Sequence, residues 1–148
     1  MRTRHINRKV VLKKMAGKPI EVYSFFSGAG FLDLGFEEAG FDIVFVNEFN
    51  KQFLNVYQYA RRNNEKLPQY GYSNEDIRNF LSDENWYSRF PRYNDRTNKL
   101  IGFIGGPPCP DFSVAGKNEG ETGVNGQLTS VYVDLIVCRE PDFFVFEN

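Results

Sequence analysis

From residue 20 onward, short apolar runs alternate with polar, glycine-containing breaks. Ile20 leads into Glu21-Val22-Tyr23-Ser24-Phe25-Phe26, which is rich in β-forming residues and stops at Ser27-Gly28-Ala29-Gly30. Phe31, Leu32, Leu34, Gly35, Phe36 and Ala39 then recur at helical spacing and predict an inward apolar face, with Gly40 as the stop. Residues 41–46 read as a second strand, ending at Asn47-Glu48. Residues 51–64 read as a helix carrying Phe53, Leu54, Val56, Tyr57 and Ala60. Strand, glycine turn, helix, strand and helix make a βαβ unit, which predicts a parallel sheet with right-handed crossovers.

Residues 65–98 are polar, aromatic and poorly periodic. Glu75-Asp76-Ile77 reads there as a short strand end, and residues 82–87 as a short helix started by Ser82 or Asp83. Leu100-Ile101-Gly102-Phe103-Ile104 restores a buried strand, followed by a proline-rich loop. Residues 116–126 are glycine-rich and are expected to move when no ligand is bound. Residues 129–139 read as a helix with Val131, Leu135 and Cys138 inward, so Cys138 is expected in the core. Pro141-Asp142-Phe143-Phe144-Val145-Phe146 is a last buried strand ending at Glu147-Asn148. A buried strand with nothing after it is expected of a fragment. The pattern predicts an α/β fold, a doubly wound and mostly parallel sheet.

Composition narrows the class. With 148 residues, 41% hydrophobic and 16% aromatic, the chain can bury a core and is not a disordered segment. No apolar run approaches the roughly 18 residues of a membrane span, and the N-terminus lacks a signal-peptide centre; a cytoplasmic protein is expected. Two cysteines make neither a disulfide framework nor a four-ligand zinc site. The net charge of −1 hides an asymmetry, because seven of the 18 Lys and Arg lie in residues 1–18 with no acid among them. Residues 1–19 thus form a basic arm, suited either to phosphate or to life as a solvated terminus.

Candidate chemistry gathers at the strand ends. The turn Phe26-Ser27-Gly28-Ala29-Gly30 offers backbone donors and a helix N-terminus to a polar ligand. Asp33 stands where a dinucleotide fingerprint has its third glycine, so nicotinamide and flavin are disfavoured. Glu48 lies 18 residues beyond Gly30 at the next strand end, where a carboxylate accepts ribose hydroxyls. Turn and acid together point to an adenosine-containing cofactor. Asp76 suits an adenine amino group or an ordinary surface turn. In Gly105-Gly106-Pro107-Pro108-Cys109-Pro110-Asp111-Phe112-Ser113, three prolines stiffen a loop around one thiol. A lone cysteine is most often a small buried hydrophobe, but proline on both sides unsuits it to a helix or central strand. Cys109 and Glu147 follow neighbouring strands, so both are expected at one carboxyl edge, a thiol and an acid for covalent attack. His5, the only histidine, lies in the basic arm, which disfavours a Cys–His hydrolase.

These motifs, in this order, resemble the cytosine-carbon-5 DNA methyltransferases from about residue 22 to residue 148. Phe26-Ser27-Gly28-Ala29-Gly30 is similar to the family's cofactor turn and Asn47-Glu48 to its ribose-binding acid. Gly106-Pro107-Pro108-Cys109-Pro110-Asp111-Phe112-Ser113 is similar to its nucleophile loop, and Glu147-Asn148 to the start of its Glu-Asn-Val motif. The resemblance implies a Rossmann-like fold, S-adenosyl-L-methionine as cofactor, and a flipped cytosine in double-stranded DNA as substrate. Cys109 would be the nucleophile and Glu147 the partner of the ring. Cofactor contacts would fall on Phe26, Gly28, Ala29, Gly30, Glu48, Phe49, Asp76, Ile77, Gly106, Pro108 and Leu128. Ser113 and Lys117 would lie in a loop closing on DNA. The chain departs from the family at Ser24, where an acid is frequent, and at Pro110, where glutamine is common. The family's later arginine motif, target-recognition region and C-terminal closing segment have no counterpart in these 148 residues. The chain alone is therefore expected to be inactive, or to need a complementing segment or subunit. A tRNA-directed branch of the family and a non-catalytic, cofactor-binding role are the alternatives.

Overall fold

The computed structural model of the chain describes residues 17–63, 67–108 and 124–147. Among these residues five strands form one parallel sheet: β1 (Ile20–Phe25), β2 (Asp42–Asn47), β3 (Tyr72–Ser73), β4 (Leu100–Gly105) and β5 (Phe143–Phe146). Their order is β3-β2-β1-β4-β5, and each neighbouring pair is parallel. The order reverses between β1 and β4, so the crevice for a ligand is expected above their carboxyl ends.

Four α-helices connect the strands: α1 (Phe31–Glu38), α2 (Lys51–Ala60), α3 (Asp83–Arg89) and α4 (Val124–Arg139), with a 3₁₀ helix over Ile77–Leu81. Side chains of β1 alternate between two faces. Tyr23 and Phe25 enter a cluster with Phe45, Phe80, Trp86, Phe90, Tyr93, Phe103, Tyr132 and Leu135, drawn from the 3₁₀ helix, α3 and α4 as well as the sheet. Val22 enters a second cluster with Ile43, Val46, Ile104, Leu54 and Tyr57, against which Leu32 and Phe36 pack.

Several sequence expectations are corrected here. β5, expected as a buried strand, is an edge of the sheet, with Phe144 exposed and Phe143, Val145 and Phe146 half-buried. The helix expected over residues 51–64 ends at Ala60. The acid-led segment Glu75-Asp76-Ile77 is not a strand end; the strand is Tyr72–Ser73, and Asp76 caps the 3₁₀ helix by accepting from Arg78 N (2.9 Å). The last helix begins at Val124, so residues 124–126 are helical and not part of a glycine loop. On that helix Tyr132, Leu135 and Arg139 point inward and Cys138 is exposed. Arg139 takes the inner position because its guanidinium is satisfied there. It donates to Asp83 Oδ1 (2.5 Å) and to the carbonyls of Phe80 (3.0 Å) and Leu81 (2.8 Å), and lies 4.9 Å from the Trp86 ring. On α1 the buried residue is Asp33, whereas Phe31 and Leu34 are exposed. On α2 Leu54 and Tyr57 are buried, and Phe53 and Val56 face outward. Residues 1–16, most of the basic arm, and residues 109–123 of the proline and glycine loops lie outside the described residues.

Candidate active site

At the carboxyl end of β1 the chain turns sharply. Phe26 adopts a left-handed backbone (φ 51°), sparsely populated for a residue with a Cβ and costing about 1–3 kcal/mol. Ser27 N donates to the Asn47 carbonyl (3.2 Å), tying the turn to the end of β2. Gly30 caps α1 at φ 87°, a conformation natural to glycine. A Cβ there would run into the Tyr57 ring and lie 2.7 Å from Arg61 Nη1.

A buried polar network fixes this turn from beneath. The Asp33 carboxylate, fully buried, accepts from Ser24 Oγ (2.8 Å) and Tyr57 OH (2.8 Å). Arg61 donates to the Gly30 carbonyl (2.9 Å), pairs with Glu37 (3.0 Å) and packs 4.0 Å above the Tyr57 ring. Burial raises the Asp33 pKa above the usual carboxylate value, against the lowering exerted by Ser24, Tyr57 and Arg61. Burial, reinforced by Asp33, pushes the Tyr57 hydroxyl well up, so it remains a donor at neutral pH. Ser24, the departure from the family's frequent acid, is thus the hydroxyl partner of an acid on α1.

Glu48 links the turn to the second strand. Its carboxylate accepts from Gly28 N (2.8 Å) and Asn50 N (2.7 Å), one bond on each oxygen. Asn50 in turn caps α2, accepting from Gln52 N (2.9 Å) and Phe53 N (3.4 Å). Asn74 donates to the carbonyls of Glu48 (2.9 Å) and Phe49 (2.6 Å), holding the loop after β3 against the same corner.

Above these strand ends opens a cleft of about 470 Å³. The turn contributes Phe26 and Gly28; the end of β2 contributes Glu48 and Phe49; the 3₁₀ helix contributes Asp76 and Ile77; Gly106, Pro108 and Leu128 complete the residues expected from sequence. Ala29 lines a second space of about 240 Å³ that shares Phe26, Gly28 and Gly106 with the first, and Glu147 lines it too. Gly30 lines neither space and instead packs on Tyr57. Glu147 N donates to the Gly105 carbonyl (2.9 Å), and a Cβ on Gly106 would lie 3.0 Å from Glu147 Oε2, so the acid and the entry to the cysteine loop are in close approach. Cys109, Ser113 and Lys117 lie outside the described residues. Sequence reasoning missed Asn47, Asn50, Phe53 and Arg78 in the cleft lining. Arg78 donates to Asp76 Oδ2 (2.8 Å), so both Asp76 oxygens already carry a bond from that residue. Asn50 could have been found as a helix cap.

Comparison with known proteins completes the picture. The C-5 cytosine-specific DNA methylase family matches residues 20–148. The Type II methyltransferase M.NmeDI of Neisseria meningitidis serogroup C is 53% identical over 130 residues, which are 86% of this chain and 31% of that protein. M.FnuDI of Fusobacterium nucleatum is 37% identical over 129 residues, 87% of this chain and 32% of that protein. A solved E. coli structure, described as a prophage-encoded DNA modification methyltransferase, aligns at a TM-score of 0.63 and 30% identity, covering 86% of this chain and 31% of that one. The chain thus spans about a third of the length of these relatives. Ordered motifs, switch-point cleft and family match agree: the chain belongs to the C-5 cytosine-specific DNA methylases.

Proposed function

We propose that this chain carries the cofactor cleft and catalytic edge of an enzyme that methylates carbon 5 of cytosine in double-stranded DNA, using S-adenosyl-L-methionine. The observation that carries the reading is the convergence of Glu48, the glycine turn, Gly106 and Glu147 above the β1–β4 switch point. The residues fit the cofactor. Glu48 gives each oxygen to one backbone N–H and keeps further lone pairs for two adjacent hydroxyls. The Phe26 and Phe49 rings suit a flat base, and the cleft has the size of a small-molecule site. When bound, S-adenosyl-L-methionine supplies an electrophilic methyl group.

The chain's own residues then act on the cytosine. The Cys109 thiolate forms a bond to carbon 6 of the flipped base, which makes carbon 5 nucleophilic. Glu147 hydrogen-bonds or protonates ring nitrogen 3 and neutralises the charge that gathers there. Loss of the carbon 5 proton after methylation breaks the sulfur–carbon bond and frees Cys109. Ser113 and Lys117 contact DNA from the loop after the nucleophile. The Type II names of the relatives favour a restriction–modification setting in the cytoplasm. Because the match covers only 31–32% of those relatives, we expect the 148 residues alone to be inactive and to depend on a complementing segment or subunit.

The test is transfer of labelled methyl to cytosine-containing duplex DNA by the 148-residue chain and by its full native reading frame. Label from the longer form, abolished by Cys109→Ser, is the expected result. Label that survives Cys109→Ser overturns the nucleophile. Label in RNA and not in DNA moves the protein to the tRNA-directed branch, and cofactor binding with no transfer by either form assigns it a non-catalytic role.

A further inference from the structure

The inward face of α2 is complete without Phe53. Leu54 and Tyr57 are its buried positions, Arg61 is buried at its C-cap, and together they already serve the sheet, Asp33 and Gly30. Phe53 nevertheless lines the cleft, with 51% of its surface exposed, and so does Phe49 at 68%. Phe49 precedes the Asn50 cap and Phe53 is the third residue of α2, so the two rings border the cleft from either side of the helix start. The backbone between them is pinned twice, by Asn50 N to Glu48 Oε1 and by Phe53 N to the Asn50 side chain. Phe53 is therefore held at a fixed offset from the Glu48 carboxylate, the proposed partner of two adjacent cofactor hydroxyls.

We infer that Phe53 is a further ligand-binding residue, which with Phe49 forms a two-ring wall for the nucleobase of the cofactor. The inference rests on the cofactor reading above and deepens it. An aromatic side chain bordering a cleft suits a base because every base has a π-face, and loss of such a stack by alanine substitution weakens binding by roughly 5- to 150-fold. Exposed apolar surface on the free protein is covered when the base enters, so ligand and ring each lose contact with water.

The experiment measures dissociation constants by calorimetry for two probes: S-adenosylhomocysteine, and 5′-methylthioadenosine, which keeps the nucleoside and lacks the amino-acid end. Phe53→Ala should weaken both by the same factor, about tenfold. Phe53→Trp should restore both, and Val56→Ala, one turn further along the exposed side of α2 and absent from the cleft lining, should change neither. Thermal melting checks that the variants fold; Phe53→Leu, expected to weaken both probes less than alanine does, serves if alanine does not. Wild-type binding with no loss in Phe53→Ala overturns the wall and leaves the cofactor reading intact. Loss confined to S-adenosylhomocysteine also overturns it, because the ring would then act away from the nucleoside. Binding of neither probe by the wild-type protein overturns the cofactor reading, and the wall with it.

Discussion

The two faces of the sheet are held by different physics. On one, Tyr23, Phe45, Trp86, Phe90, Tyr93 and Phe103 meet ring against ring, with centroids 4.6 Å apart for Trp86 and Phe90 and 5.1 Å for Tyr23 and Phe90. On the other, a carboxylate is buried under α1 and answered by two hydroxyls, with a guanidinium beside it. Area burial on the aromatic face is large and tolerant of direction. The polar network on the second face contributes less net free energy than the apolar cluster beside it, because desolvation offsets its hydrogen bonds, but it admits one geometry. The polar network lies beneath the glycine turn, on a side that keeps an apolar cluster of its own, while Phe26, Ile77 and Leu128 of the cleft pack on the aromatic side.

Breaking the aromatic face should have the largest effect. Trp86→Ala removes a fully buried ring and should cost about 3–5 kcal/mol in denaturant unfolding. The folded fraction should bind S-adenosylhomocysteine as the wild type does. A loss of affinity in that fraction would mean that the faces are not separate. Next, Gly30→Ala forces a Cβ into Tyr57 and Arg61 at a positive φ, and should cost about 2–3 kcal/mol while also weakening ligand binding. Tyr57→Phe leaves an Asp33 oxygen without its donor, for about 1–2 kcal/mol, again with weaker binding. Stability lost with affinity unchanged would reduce the network to scaffold.

The smallest effect is a slope. Asp33 has its native pKa raised by burial, so the folded state holds the proton more tightly than the unfolded chain, whose value is about 3.9. Its contribution to stability is therefore full below about pH 3.9 and is lost as pH rises through the raised native value. The stability of wild type minus that of Asp33→Asn should decline from about pH 4 upward, measured by urea unfolding at several pH values. A flat difference would show that the hydroxyl donors and Arg61 fully offset burial.

What was legible in the sequence followed the same division. Strands β1, β2 and β4 were readable because central parallel strands are mostly apolar runs with polar or glycine ends, and β5 reads the same way although it is an edge of the sheet with Phe144 exposed. Residues 67–98 hid their role because Phe80 comes from a 3₁₀ helix, Trp86 from a seven-residue helix, and Tyr70, Phe90 and Tyr93 from the turns around them, each piece too short to show a period. The rule that apolar means inward failed on α1 and α4, where Asp33 and Arg139 are buried because partners from distant segments satisfy them. Such partners lie 9 to 59 residues away along the chain, and most fall outside any local window. At the site, Glu48 and the glycine turn were visible as residue types at strand ends, whereas Arg78 and Phe53 enter the lining only through the way the 3₁₀ helix and α2 are set down.

The pairing of β1 with β4 bears on how the cleft comes into being. Ile20 lies opposite Leu100 and Phe25 opposite Gly105, so the two lips of the cleft are 80 residues apart along the chain. Contacts at that separation close a long loop and form slowly relative to local turns and helices. A partly folded chain in which β1, α1, β2 and α2 have assembled would already hold Glu48 against the turn, yet would lack Gly106 and Glu147. Ligand capture that needs both lips would then act as a late checkpoint during synthesis and folding, reporting on completion of the sheet as a whole.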